Sequence, residues 1–131
     1  MPVELTVKLP NRAGQLGAVA SALGDAGVNL QSIAATTGGG VGTVHIVVDD
    51  KDAARARRAL KSGKFRIAGD RKLVEVRLAD RPGTFARAAK RLGKGKVNIE
   101  SAYMIGQSKK STTLGVGVKD ARAANKALGR R

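Results

Sequence analysis

The chain repeats itself. "NRAGQLGAVASAL" from Asn11 and "DRPGTFARAAKRL" from Asp80 align without a gap at a spacing of 69 residues, and the match runs on into "GVNLQS" and "KVNIES". Between Glu4–Ile33 and Leu73–Ala102, 10 of 30 positions are identical. A period of this length marks one supersecondary unit per copy, with neighbouring units helping to bury each other's apolar surface. The 131 residues therefore divide into two modules, expected at 1–70 and 71–131. Modules that small usually share an interface or oligomerise to complete their burial.

Within each copy the apolar period changes in the same places. Val3, Leu5, Val7 and Leu9 alternate with polar residues, as Val74, Val76 and Leu78 do in the second copy. A period of two is a strand with one buried face. Leu16, Val19, Ala20 and Leu23 then fall at i, i+3, i+4 and i+7, as do Phe85, Ala88, Ala89 and Leu92. That is the stripe of an amphipathic helix, with Asn11 or Asp80 as its expected N-cap and Pro82 in its first turn. Two β-rich runs flanking Gly38-Gly39-Gly40 read as a hairpin, and its second copy turns around Gln107 to Ser111 with one extra residue. Ala53, Ala56 and Leu60, then Ala121, Ala124 and Leu128, predict a second helix packed close to the sheet. Copy one adds the strand "KFRIA" and a turn at Gly69-Asp70; copy two has no counterpart to that strand. The order predicts an α+β fold of two tandem ferredoxin-like βαββαβ modules, antiparallel sheets with helices on one face, the second module lacking its last strand.

Composition removes several function classes. There is no cysteine and a single histidine, His45, so thiol chemistry and a histidine metal cluster within one chain are excluded. No Gly-Lys-Ser/Thr phosphate loop, Ser-His-Asp grouping or metal-ligand spacing is present, which leaves neither enzymatic activity nor a cofactor expected. His45 alternates with Val44 and Ile46, which places it on the open face of the sheet as a surface residue. No stretch approaches the ~18 apolar residues of a membrane span, and the expected location is the cytoplasm. The net charge of +15 is lopsided: residues 1–50 carry two basic and four acidic side chains, and the rest of the chain 23 and 6. An acidic partner or nucleic acid follows from that asymmetry, and so does a plain solvated surface.

The corner between first strand and first helix is where the copies agree best outside the apolar pattern. A helix N-terminus presents backbone N–H groups without intrahelical partners and a favourable dipole, which together suit a carboxylate. Gly14 and Gly83 lack a Cβ that would block a ligand. Asn29 and Asn98, just before the second strand, offer both donors and an acceptor. A purely structural reading covers the same residues: caps at Asn11 and Asp80, tight packing at the glycines, and left-handed turns at Asn29 and Asn98.

"NRAGQL…GVNLQSI" and "DRPGTF…KVNIESA" resemble the motif of ACT domains, small ligand-binding regulatory modules with a ferredoxin-like fold. The resemblance covers nearly the whole chain as two tandem copies. It implies side-by-side modules that bind a free amino acid between the first corner of one and the second strand of its neighbour. Residue by residue it points to Asn11, Arg12, Ala13, Gly14, Gln15 and Leu16 with Asn29 and Leu30. In the second copy it points to Asp80, Arg81, Pro82, Gly83, Thr84 and Phe85 with Asn98 and Ile99. Ala13 stands where the family usually has proline, and Lys96 where copy one has Gly27. Neutral Asn11 and acidic Asp80 make the two corners unequal.

The chain holds little beyond its modules, so any regulatory output passes through a partner, either a biosynthetic enzyme or a transcription regulator. The unpaired edge near Val74 to Leu78 predicts a homodimer. Nucleic-acid binding is the rival reading, since base-stacking modules share this strand order. The strands "TVHIVVD" and "TTLGVGV" carry no aromatic residue, however. Only salt-sensitive phosphate contacts remain for Arg55, Arg58 and Lys61, joined by Arg87, Lys90, Arg91 and Lys94.

Overall fold

The computed structural model describes residues 1–130. They form two compact units, one spanning Pro2–Arg71 and one beginning at Lys72. The first runs β1 (Val3–Pro10), α1 (Gln15–Asp25), β2 (Leu30–Gly38), β3 (Val41–Val48), α2 (Asp50–Ser62) and β4 (Arg66–Lys72). Its sheet has the order β2-β3-β1-β4, and β3 is antiparallel to both β1 and β2. The second runs β5 (Val74–Ala79), α3 (Thr84–Lys94), β6 (Ser101–Gln107), β7 (Ser111–Gly117) and α4 (Ala121–Ala127). Its antiparallel sheet has the order β5-β7-β6. These are two ferredoxin-like modules, the second without a last strand among the described residues.

The alternation in β1 and β3 explains the first core. Val3, Leu5 and Val7 project from β1 with Val44, Ile46 and Val48 from β3, onto Val19 and Leu23 of α1 and Ala53, Ala56 and Leu60 of α2. Val74, Val76 and Val116 meet Ala88, Leu92 and Ala124 in the second module. The small residues of α2 and α4 let each helix approach its sheet. All four helices end alike, with a residue at positive φ that releases an amide back to the last turn: Gly27, Lys64, Lys96 and Gly129. Val28 N–H donates to Leu23 O at 3.0 Å and Val97 N–H to Leu92 O at 2.9 Å, the six-to-one bond of a Schellman motif. Lys96 thus adopts the left-handed conformation of Gly27, and Asn29 and Asn98 do not.

Four expectations are corrected. Gly69-Asp70 is not a turn, because β4 runs through it to Lys72; a Cβ on Gly69 would sit 3.2 Å from Thr6, so glycine allows close strand approach there. Asn11 and Asp80 are not N-caps, since the cap positions are Gly14 and Gly83 and neither helix has a side-chain cap. Leu16 and Phe85 belong to no core and are 45% and 44% exposed, and Ala20 is exposed as well. The helix-free face of the first sheet is not simply wet: Glu4 is 3% exposed and accepts from Arg71 Nε at 2.7 Å. His45, on the same face, is half-buried, with Nδ1 3.0 Å from Thr6 Oγ1.

The two hairpins differ as their sequences require. Gly39 and Gly40, both at positive φ, make the two-residue turn of the first, a conformation that favours glycine. The second has three residues between β6 and β7, closed by Ser108 N–H donating to Ser111 O at 2.9 Å.

Candidate functional site

Each first strand enters its helix through the same hydrogen-bonded corner. Arg12 N–H donates to Pro10 O at 2.9 Å, Gln15 N–H to Arg12 O at 3.3 Å and Ala18 N–H to Gly14 O at 3.0 Å. Arg81, Thr84 and Arg87 make the equivalent bonds to Ala79, Arg81 and Gly83 at 2.8, 3.4 and 3.1 Å. Gly14 and Gly83 sit at φ 87° and 88°, so the turn itself demands glycine. The N–H groups of Gly14, Leu16 and Gly17 find no acceptor among the described residues, nor do those of Gly83, Phe85 and Ala86. These are the orphan donors of a helix start. In copy two the Thr84 hydroxyl also donates to Ala79 O at 2.8 Å, a brace that Gln15 does not reproduce.

Beside each corner lies a cleft. The first, about 480 Å³, is bounded by Asn11, Arg12, Gln15 and Leu16 and by Ala35, Thr36 and Thr37 of β2. The second, about 380 Å³, is bounded by Asp80, Thr84 and Phe85 and by Ala102, Tyr103 and Met104 of β6. Both volumes suit a small-molecule site. Leu16 and Phe85 are exposed because they form the apolar wall of these clefts. The β2 and β6 residues were not singled out from sequence, although the hairpin turn carried the signal: pairing outward from Gly38↔Val41 brings Thr36 and Thr37 level with the end of β1, across β3. Ala13, Gly14, Pro82 and Gly83 shape the turn. Arg81 points elsewhere, lining a third cleft on the other side of β5.

Asn29 and Leu30 are not at the corner. Pro10 pairs with Val41 at one end of the sheet, whereas Val3 and Leu30 both pair with Val48 at the other. Seven strand steps at ~3.3 Å put the two groups roughly 23 Å apart. Asn98 and Ile99 likewise precede Ser101, which pairs with Gly117, while Ala79 pairs with Ser111. Leu30 and Ile99 pack against their module cores, and Asn29 and Asn98 are exposed. Near Asn29, Gln31 Oε1 is buried without a hydrogen-bond partner among the described residues.

Some of the charge elsewhere is structural. Arg57 donates Nε and Nη2 to Asp70 at 2.7 and 3.0 Å, which pushes its guanidinium pKa up from an already high value. Arg55, in the expected basic stripe, donates to Gly27 O at 2.9 Å and pairs with Asp52 at 3.3 Å. Among the described residues no cluster of three or more His, Asp or Glu side chains could hold a metal ion, and no helix is long and apolar enough to cross a membrane.

Comparison with known proteins agrees with this architecture. Residues 3–62 match the family model of the ACT domain. A protein of Bacteroides thetaiotaomicron has a similar structure, with a TM-score of 0.83 at 21% identity over 97% of this chain and 85% of that one. The regulatory subunit of aspartate kinase from Thermus thermophilus, in its ligand-free form, gives 0.73 at 18% identity over 98% and 90%. The aspartate kinase of Clostridium acetobutylicum gives 0.63 at 18% identity over 97% of this chain and 31% of that one. At these identities the likeness is one of fold. No curated protein matches the sequence. The family match shows that residues 3–62, the first module, are an ACT domain, and the second module repeats its fold and corner.

Proposed function

We propose that the protein is a non-catalytic cytoplasmic regulator that senses a free amino acid at its strand–helix corners. The observation that carries this reading is the duplicated corner, a helix start with unpartnered amides in which Leu16, or Phe85, lines an adjoining apolar-walled cleft. Donors of that kind suit a carboxylate, and Leu16 or Phe85 suits an apolar side chain. At the far end of the first sheet, Asn29 and the unpartnered Gln31 Oε1 supply acceptors for an ammonium. The strand register keeps these two ends apart, so a ligand that uses both is held by two modules, as the family resemblance implies. Arg12 and Gln15 line the first cleft, and Asp80 and Thr84 the second, so the two differ in charge.

Screening the common amino acids by thermal shift tests the proposal. A ligand at about 100 times its Kd adds ~2.7 kcal/mol of stability at one site. No shift with any amino acid at millimolar concentration would overturn the sensing role. The fold likeness to a regulatory subunit of aspartate kinase favours a second reading, in which the chain is itself a subunit that docks on a biosynthetic enzyme or a transcription regulator. Sequence-independent nucleic-acid binding through the basic helices is the weaker alternative.

A further inference from the structure

A further cleft of the second module, about 530 Å³, is neither of the corner clefts. It runs along β5, where Val76, Arg77, Leu78 and Ala79 all line it. Successive residues of a strand point to opposite faces, so a cleft that touches four in a row follows the strand's edge. No strand pairs with that edge among the described residues, and β5 is the outer strand of its sheet. Its backbone donors and acceptors are therefore offered to a partner. The floor is apolar, with Val76, Leu78, Ala88 and Leu128.

The rim is strongly basic. Arg77, Arg81, Arg87, Arg91 and Arg130 line this cleft, and no acidic residue does. All five are exposed, and none of their side chains has an ion-pair or hydrogen-bond partner among the described residues. Like charges gathered in one groove repel, and an acidic occupant relieves that repulsion. Guanidinium groups suit carboxylates, which they meet with two parallel hydrogen bonds.

The first module shows what fills the same position. There β4 pairs with the corresponding edge of β1, and Phe65 and Ile67 bring apolar side chains onto the core. Asp70 of β4 meets Arg57 of α2 through both carboxylate oxygens. The occupant there is an extended strand whose one acidic residue, Asp70, meets an arginine; β4 also carries Arg66, Arg71 and Lys72, so the acidic character expected of a partner at β5 follows from the arginine rim of the cleft. We propose that the arginine-rimmed cleft along β5 is a docking groove for an extended acidic segment of a partner protein, which adds to the sheet as the strand that β4 supplies in the first module. This is strand addition, in which backbone pairing gives affinity and side chains give specificity. It does not depend on amino-acid sensing.

The test uses the full chain and a fluorescent peptide of alternating valine and glutamate, about eight residues long, followed by anisotropy at physiological salt. Saturable binding of one peptide per chain is expected. Replacing both Arg87→Ala and Arg91→Ala weakens it by roughly tenfold, with the thermal midpoint confirming that the variant is folded. N-methylation of alternate peptide amides keeps every charge but removes the pairing donors, and should abolish binding. Equal affinity for the methylated peptide, unchanged affinity of the double variant, or no binding at all would overturn the proposal. So would complete displacement of the peptide by lower concentrations of inorganic tripolyphosphate or a single-stranded oligonucleotide, which would mark a simple phosphate site.

Discussion

The backbone amide of Asn11 donates to the carbonyl of Gly40 at 3.1 Å, and Asp80 repeats the bond to Lys110 at 3.0 Å. Each bond ties a strand–helix corner to the turn of the hairpin beside it. The second pairing survives although its hairpin is one residue longer. The corner and the hairpin are thereby joined, and the cleft between them is built by both.

Leu16 separates the cleft from the core. It is 45% exposed, whereas Leu23, two turns on, is fully buried. Leu23→Ala should cost about 2–5 kcal/mol of unfolding free energy, through lost burial and the cavity left behind. Leu16→Ala should cost less than about 1.5 kcal/mol, since half of its surface already meets water, yet weaken amino-acid binding. Urea denaturation of both variants checks the contrast. Equal losses would return Leu16 to the core.

Lys96 holds a left-handed conformation at φ 61° in a position where the first module uses Gly27 at φ 74°. A side chain there costs about 1–2 kcal/mol, partly offset by the greater freedom of glycine in the unfolded chain. Lys96→Gly should raise stability by about 1 kcal/mol, read from the urea midpoint at unchanged slope. Gly27→Lys should lower it.

Gln31 carries the one buried side-chain acceptor found without a partner among the described residues. Such an atom costs about 1–3 kcal/mol. Gln31→Met keeps the length and removes the unpaired group, so the ligand-free protein should gain about 1 kcal/mol. If Gln31 receives an ammonium, the same variant loses the thermal shift given by the amino acid. Gain of stability with an undiminished shift would place the ligand elsewhere.

Association should respond to salt in the sense opposite to nucleic-acid binding. The chain carries a net charge of +15, which opposes self-association at low ionic strength. A homodimer, proposed here from the small modules, should persist or strengthen as salt rises and screening shortens to about 8 Å at 0.15 M. Binding to oligonucleotides through the basic helices should fall over the same range. Light scattering and filter binding at two salt concentrations read both; a monomer at each would overturn the dimer.

The sequence by itself determined the element order. The switch from a period of two in Val3, Leu5 and Val7 to helical spacing at Val19 and Leu23 is local information, and it repeats 69 residues on. It also marked the corner, because Gly14 and Gly83 answer a local backbone demand at φ 87° and 88°. Only the tertiary structure decided which residues meet there. Asn11 and Asn29 look like neighbours in one motif, yet strand pairing sends them to opposite ends of the sheet. Thr36, Tyr103 and Met104 come to the clefts through the same register. Leu16 satisfies the apolar stripe but not the core, because a helix's first turn overhangs the end of the strand it follows. Periodicity fixes which way a side chain points along its own element. What that side chain faces depends on pairing between segments far apart in the chain, which no local pattern encodes.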